Sequence, residues 1–161
     1  MFDREIEESV EIAANPAEVW YHLTNFQVYP EWNPLIRSVS GELREGARLT
    51  LSLRVGSMPA VIFRPCLLVV DRERELRWLG GIGGPLFEGE HAFVIDTLGL
   101  DSVRFTQSER FGGVLSPGAV TLMEDDLRAA FREMNEALRQ RSEASHASHQ
   151  VAEAQRREKM P

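Results

Sequence analysis

Cysteine is almost missing. Cys66 is the only one in 161 residues, so no internal disulfide can form. It lies in the apolar run CLLVV, where it reads as a small buried hydrophobe. Basic charge is also thin. Eighteen Lys and Arg face 25 Asp and Glu, the net charge is −7, and no basic block exceeds two residues. A sequence-blind nucleic-acid binder needs a basic patch, so nucleic acid is excluded as a partner. The same acidity argues against adsorption to anionic lipid. No apolar stretch approaches the roughly 20 residues that span a bilayer, so no stable membrane insertion is expected. The first residues do not read as a charged-then-apolar leader, and the expected address is the cytoplasm. Motifs for familiar chemistries are lacking too. HExxH and GxSxG are absent, and GGIGGP at 80–85 lacks the Lys-Ser/Thr of a phosphate loop, which leaves it as a flexible loop. His146 and His149, three residues apart, are a weak metal pair at best. No cofactor and no metal are expected, and the chain reads as a monomer or homodimer.

Hydrophobic residues make up 43% of the chain and charged residues 27%, as in an ordinary globular domain. Residues 4–13 read as a strand. NPAE at 15–18 then starts a short helix, with Asn15 as cap, Pro16 in the first position and Val19, Trp20 and Leu23 on its apolar face. FQVYPEWNP at 26–34 places Phe26, Tyr29 and Trp32 among two prolines, which allows a turn of helix and a bend. Strands follow: 35–40; 49–55, with Leu49, Leu51, Leu53 and Val55 on one face; the apolar run 60–70, in which Pro65 demands an edge or a bulge; 76–80; 86–97; and 102–111. Ser116 and Pro117 form a helix start. Val120, Met123, Leu127, Phe131, Met134 and Leu138 then make one apolar stripe at spacings of three and four. Residues 143–161 lose that stripe and read as a helical extension or flexible tail beyond a domain of residues 1–142. The order predicts an α+β fold: a curved antiparallel sheet of about six to seven strands around a long C-terminal helix, with two short helices after the first strand. A sheet curled around a helix is expected to leave an interior cavity suited to small apolar molecules.

The segment NPAEVWYHLTNFQVYPEWNP resembles the start of the START-like (SRPBCC) superfamily, the polyketide cyclase/dehydrase and lipid transport group. RWLG at 77–80, FEGEHAF at 87–93, FTQSERFGG at 105–113 and FREMNEALRQR at 131–141 fit in the same order. The resemblance spans roughly residues 4–141 and implies the helix-grip, pollen-allergen-like fold with an internal ligand cavity. It implies no single reaction, because the superfamily includes carriers, binders, cyclases and assembly factors. It also implies that Tyr29 and Trp32 close one end of the cavity.

Strand parity sharpens the picture. Phe87, Gly89, His91, Phe93 and Ile95 share one face of their strand, and Val103, Phe105, Gln107, Glu109 and Phe111 share one face of the next. His91, Gln107 and Glu109 therefore point inward among phenylalanines. Three such groups can satisfy one another, contact a ligand, or serve as an acid–base pair that moves a proton beside a carbonyl. The blander alternatives are a satisfied core histidine and a Glu109 paired with an arginine at the rim. The candidate ligand-binding set is Trp32, Trp78, Phe87, His91, Phe93, Phe105, Gln107, Glu109, Phe111, Leu127, Phe131 and Met134. His91 and Glu109 are the candidates for catalysis. Three functions follow: a binder of a small hydrophobic molecule (lipid, polyketide-like or aromatic), which is favoured; a cyclase/dehydratase-type enzyme; and an interaction module whose interior is filled by side chains.

Overall fold

The computed structural model describes residues 2–83, 86–114 and 116–160. Gly84 and Pro85 of the expected glycine-rich loop, and the side chains of the expected Ser116–Pro117 helix start, lie outside what is described. The chain opens with β1 (Phe2–Ile12), α1 (Pro16–Thr24), a 3₁₀ turn (Phe26–Val28) and α2 (Tyr29–Trp32). Seven strands follow: β2 (Ile36–Ser40), β3 (Thr50–Leu53), β4 (Val61–Phe63), β5 (Cys66–Asp71), β6 (Glu75–Ile82), β7 (Phe87–Gly99) and β8 (Ser102–Gly112). The last element is α3 (Ser116–Glu158). This is the helix-grip architecture that the element order predicts.

Five strands form an antiparallel sheet in the order β1-β8-β7-β6-β5, and three form a second in the order β2-β3-β4. Backbone bonds from Leu49 to the Pro65 carbonyl (2.9 Å), from Gly46 to the Leu67 carbonyl (2.8 Å) and from Leu67 to the Ala47 carbonyl (2.9 Å) tie the two together. Pro65 is the reason for the division. It has no N–H to extend a ladder, so the expected single strand over 60–70 becomes β4 and β5. The strand expected over 76–80 runs on through Gly81 and Ile82, which were expected in a loop. A Cβ on Gly80 would sit 2.8 Å from the Phe63 ring, so the missing side chain lets β4 lean on β6. The 60–70 run is also not covered on both sides. Val61 and Ile62 are exposed on the edge strand β4, and Cys66 is half-buried in the edge strand β5 rather than fully enclosed.

The helix α3 lays Val120, Leu127, Phe131, Met134 and Leu138 on the sheet, all buried. It crosses β1, where Asn135 donates to the Glu8 carbonyl (3.0 Å) and Arg128 and Arg132 both reach the Glu8 carboxylate. Its 43 residues run on without a break to Glu158. Polar contacts replace the apolar stripe there. His146 pairs with Asp101 in the β7–β8 turn (3.0 Å). The buried Glu18 of α1 accepts from the Ser145 hydroxyl and pairs with His149 (2.9 Å) and His22 (3.2 Å).

The proline-flanked aromatic segment is a core plug. Tyr29 is fully buried, its hydroxyl donates to the Leu23 carbonyl, and its ring meets Phe26 and Trp32 edge-on at 5.5 and 5.2 Å. Asn33 fixes the bend after it: its side-chain oxygen accepts from the backbone N–H groups of Leu35 (3.0 Å) and Ile36 (2.8 Å). Truncation of Asn33 to alanine strands both buried donors, at about 1–3 kcal/mol for each. Asn33→Ala is therefore expected to destabilise the fold by at least one such step in chemical denaturation, and an unchanged midpoint would contradict this role.

The Glu18 cluster makes stability depend on pH. Burial pushes the Glu18 carboxyl up, but Ser145, His149 and His22 outweigh it and hold it below the ordinary 4.5. Burial is also the largest influence on His22, and with Arg141 alongside it holds the imidazole below the ordinary 6.5 despite Glu18. In both cases the unfolded chain takes up the proton more readily, so each group adds stability at neutral pH. The His22 contribution is present above its unfolded value and falls away as the pH drops through 6.5 toward the folded value. The Glu18 contribution is lost only later, below 4.5. Thermal melts are expected to fall between about pH 7 and pH 5, with a smaller fall in His22→Gln. Identical pH slopes for the two proteins would contradict the assignment.

Candidate functional site

The site is built on one antiparallel pair. His91 of β7 stands directly opposite Glu109 of β8, and the register holds without a bulge from Glu88 to Thr97. Side chains opposite each other on one face of such a pair meet. Nδ1 of His91 lies 3.3 Å from Oε2 of Glu109. Gln107, two residues earlier on the same face, donates its amide to Nε2 of His91 at 3.0 Å and to the Met134 sulfur at 3.6 Å. An amide that donates to Nε2 leaves the ring proton on Nδ1, from which it is donated to the Glu109 carboxylate. His91 and Gln107 are buried, and the Glu109 side chain is 17% exposed.

Aromatic rings hold the imidazole in place. Trp78 of β6, opposite His91, stacks on it at 5.4 Å, and Phe93 and Phe131 approach at 4.6 and 5.2 Å. Gly89 does the equivalent for the carboxylate: a Cβ there would collide with Oε1 of Glu109. The empty side-chain position is the space the carboxylate occupies.

A cavity of about 300 Å³ opens beside Glu109 between β3, β4, β8 and the first turns of α3. Leu53, Val55, Met58, Pro59, Val61 and Phe63 form one wall, Phe87 and Phe111 another, and Ala119, Val120, Met123 and Leu127 the third. A smaller chamber of about 50 Å³ continues inward past Leu35, Ile36, Leu51, Gly89, Trp78, His91 and Phe131. Leu53, Val55, Phe63, Glu109 and Leu127 border both chambers, and among the described residues no lysine or arginine borders either. The interaction-module reading required an interior filled by side chains, and this hollow stands against it.

Of the twelve residues expected to contact ligand, Phe87, Phe111, Leu127 and Glu109 line the larger chamber. Trp78, His91 and Phe131 line the smaller one, where Glu109 and Leu127 also appear. Gln107, Phe93, Phe105 and Met134 stand one layer behind: Gln107 and Met134 in contact beneath His91, and Phe105 stacked on Phe93 at 5.9 Å. Trp32 borders neither chamber. It packs on Tyr29, so the expectation that these two rings close the cavity is corrected: they plug the core beside α1. Glu109 pairs with His91 rather than with an arginine at the rim. The wall from β3, β4 and the turn between them was not foreseen as part of the site. The alternation of residues 49–55 marked its inward face, but only the curvature of the second sheet carries that face to Glu109. Gly89 was equally unforeseen. His146 and His149 are engaged by Asp101 and Glu18, and no group of three or more His, Cys, Asp or Glu among the described residues is arranged to hold a metal.

The family described as "Polyketide cyclase / dehydrase and lipid transport" matches residues 3–143. Comparison with curated proteins finds no match. Among solved structures, the Zhui aromatase/cyclase from Streptomyces sp. R1128 is similar with a TM-score of 0.71 at 17% identity, covering 87% of this chain and 93% of that one. Norcoclaurine synthase from Thalictrum flavum, in complex with dopamine and hydroxybenzaldehyde, is similar at 0.63 and 18%, covering 85% and 84%. A START superfamily protein from Mycobacterium smegmatis is similar at 0.64 and 19%, covering 91% and 99%. At these identities the likenesses show the fold. The preference for a binder over an enzyme is nevertheless overturned. A His–Glu pair with its imidazole buried opens on the cavity, and the family description names cyclases and dehydrases beside lipid transport. From residue 3 to residue 143 the chain belongs to the polyketide cyclase / dehydrase and lipid transport family.

Proposed function

We propose that the chain is a cyclase/dehydratase-type enzyme acting on a small, largely apolar carbonyl compound, with Glu109 as the acid–base group. The observation that carries this reading is the position of Glu109: one carboxylate borders both chambers and is held from behind by His91. In a dehydration the Glu109 carboxylate takes the proton from the carbon beside the substrate carbonyl. The C–H bond breaks and a C=C bond forms. The carboxylic acid then returns its proton to the hydroxyl leaving from the next carbon, which departs as water. In a ring closure the same carbanion attacks a second carbonyl, a C–C bond forms, and the new alkoxide takes the proton back. His91 orients the carboxylate through Nδ1–H. Gln107 holds the far side of the ring, and its buried oxygen has no partner among the described residues. Turned by half a rotation, the same amide presents that oxygen to an imidazolium, so Gln107 can serve His91 in either protonation state. The apolar walls keep water from the carbanion.

Exchange of the protons beside the carbonyl of 2-tetralone in D₂O, followed by mass spectrometry, tests this reading without knowledge of the natural substrate. The wild-type chain is expected to accelerate exchange. Glu109→Gln is expected to lower the rate by about 10²–10⁴-fold, as loss of a positioned base does. No acceleration by the wild type, or full acceleration by Glu109→Gln, would contradict the assignment.

Gly89 offers an independent check on positioning. Gly89→Ala removes no polar group but pushes the carboxylate aside. A displacement of about 1 Å is worth up to roughly 10²-fold in rate. A large fall in rate with little change in 2-tetralone affinity is expected. An unchanged rate would show that the carboxylate position does not matter.

A further inference from the structure

The chambers are unequal in what they offer a ligand. Among the described residues, Glu109 is the only polar side chain on the wall of the larger one. An ionised carboxylate accepts hydrogen bonds and donates none. Both nitrogens of His91 are already engaged, Nδ1 by Glu109 and Nε2 by Gln107. The described side chains of the larger chamber therefore offer one acceptor and no donor. An ether oxygen placed against the carboxylate meets a second acceptor and no described side-chain donor, which costs about tenfold or more in affinity. A hydroxyl at the same point finds the carboxylate.

Size narrows the class further. An apolar cavity of roughly 150 Å³ takes a benzene ring. The larger chamber is about twice that, and the inner one adds about 50 Å³. Two fused rings fit, with Met58 and Met123 as adaptable walls around the apolar body.

We infer that the cavity selects compact, bicyclic-sized, mostly apolar molecules that meet Glu109 through a single hydroxyl donor, a phenol, enol or β-hydroxyl, and discriminates against their ethers. This deepens the acid–base reading of Glu109 and rests on it for the meaning of the contact: the donated hydroxyl is the group that leaves in dehydration or forms in aromatisation. Gln107, Phe93 and Phe105 take no part in the discrimination, because they stand behind the wall.

Full-length chain carrying ¹³C-methyl methionine tests the inference by NMR titration with 2-naphthol, 2-methoxynaphthalene and naphthalene. Met58 and Met123 report occupancy of the chamber, and Met134, behind the wall, reports that each variant is folded. The expected result is that 2-naphthol shifts the Met58 and Met123 methyls with an affinity at least about tenfold above that of its methyl ether. Glu109→Leu is expected to abolish the difference while still admitting naphthalene. Equal affinities in the wild type, a preference that survives Glu109→Leu, or no response at Met58 and Met123 would overturn the inference. The two readings fail separately. A hydroxyl preference without 2-tetralone exchange removes the acid–base role and leaves the selection standing, whereas exchange without the preference removes the selection alone.

Discussion

A carboxylate beside an apolar chamber persists only where something donates to it, and here that donor is the Nδ1–H of His91 across the β7–β8 pair. The rest of the site follows from this one bond. Glu109 needs a partner on the neighbouring strand at the same level, and an antiparallel register without a bulge supplies it. His91 needs its other nitrogen occupied, and Gln107 occupies it from within β8. The ring needs a fixed plane, and Trp78 stacks on it. The carboxylate needs room on its open side, and Gly89 leaves that room. Four positions on three adjacent strands thus serve the orientation of one carboxylate.

The fold keeps that arrangement beside a hollow instead of closing over it. Pro65 divides the strand-forming run into β4 and β5 and lets the second sheet curve away from the first. The gap between the sheets is roofed by the start of α3, where Ala119 and Val120 are too small to fill it. At its other end α3 is held by polar contacts with α1 and the β7–β8 turn. The helix is thus firmly seated far from the chamber and meets it with small and flexible side chains.

Much of this was legible in the residues. Alternation through 87–95 and 103–111 put His91, Gln107 and Glu109 on one inward face, because a strand without a bulge preserves parity. The stripe from Val120 to Leu138 announced the covering helix, and Asn15-Pro16 announced the start of α1. What was not legible depends on partners distant in sequence. Trp32 looked like a cavity aromatic, but its place is set by Tyr29 and the Asn33 bend. Residues 143–158 lack an apolar stripe, and the contacts that hold them come from Glu18 and Asp101, far back along the chain. Gly89 carries no side chain to read, and its value appears only against the Glu109 carboxylate. In the sequence His91 reads equally well as a satisfied core histidine, and only the place of Glu109 on the cavity wall gives the pair a chemical outlet.

The central claim is that the His91 imidazole carries its proton on Nδ1 and donates it to Glu109. Long-range ¹H–¹⁵N correlation of the histidine rings measures this directly. The account predicts a protonated Nδ1 and an unprotonated Nε2 for His91 at neutral pH, with both signals displaced in Glu109→Gln. A ring protonated at Nε2 alone, or ring signals unaffected by the change at 109, would contradict it.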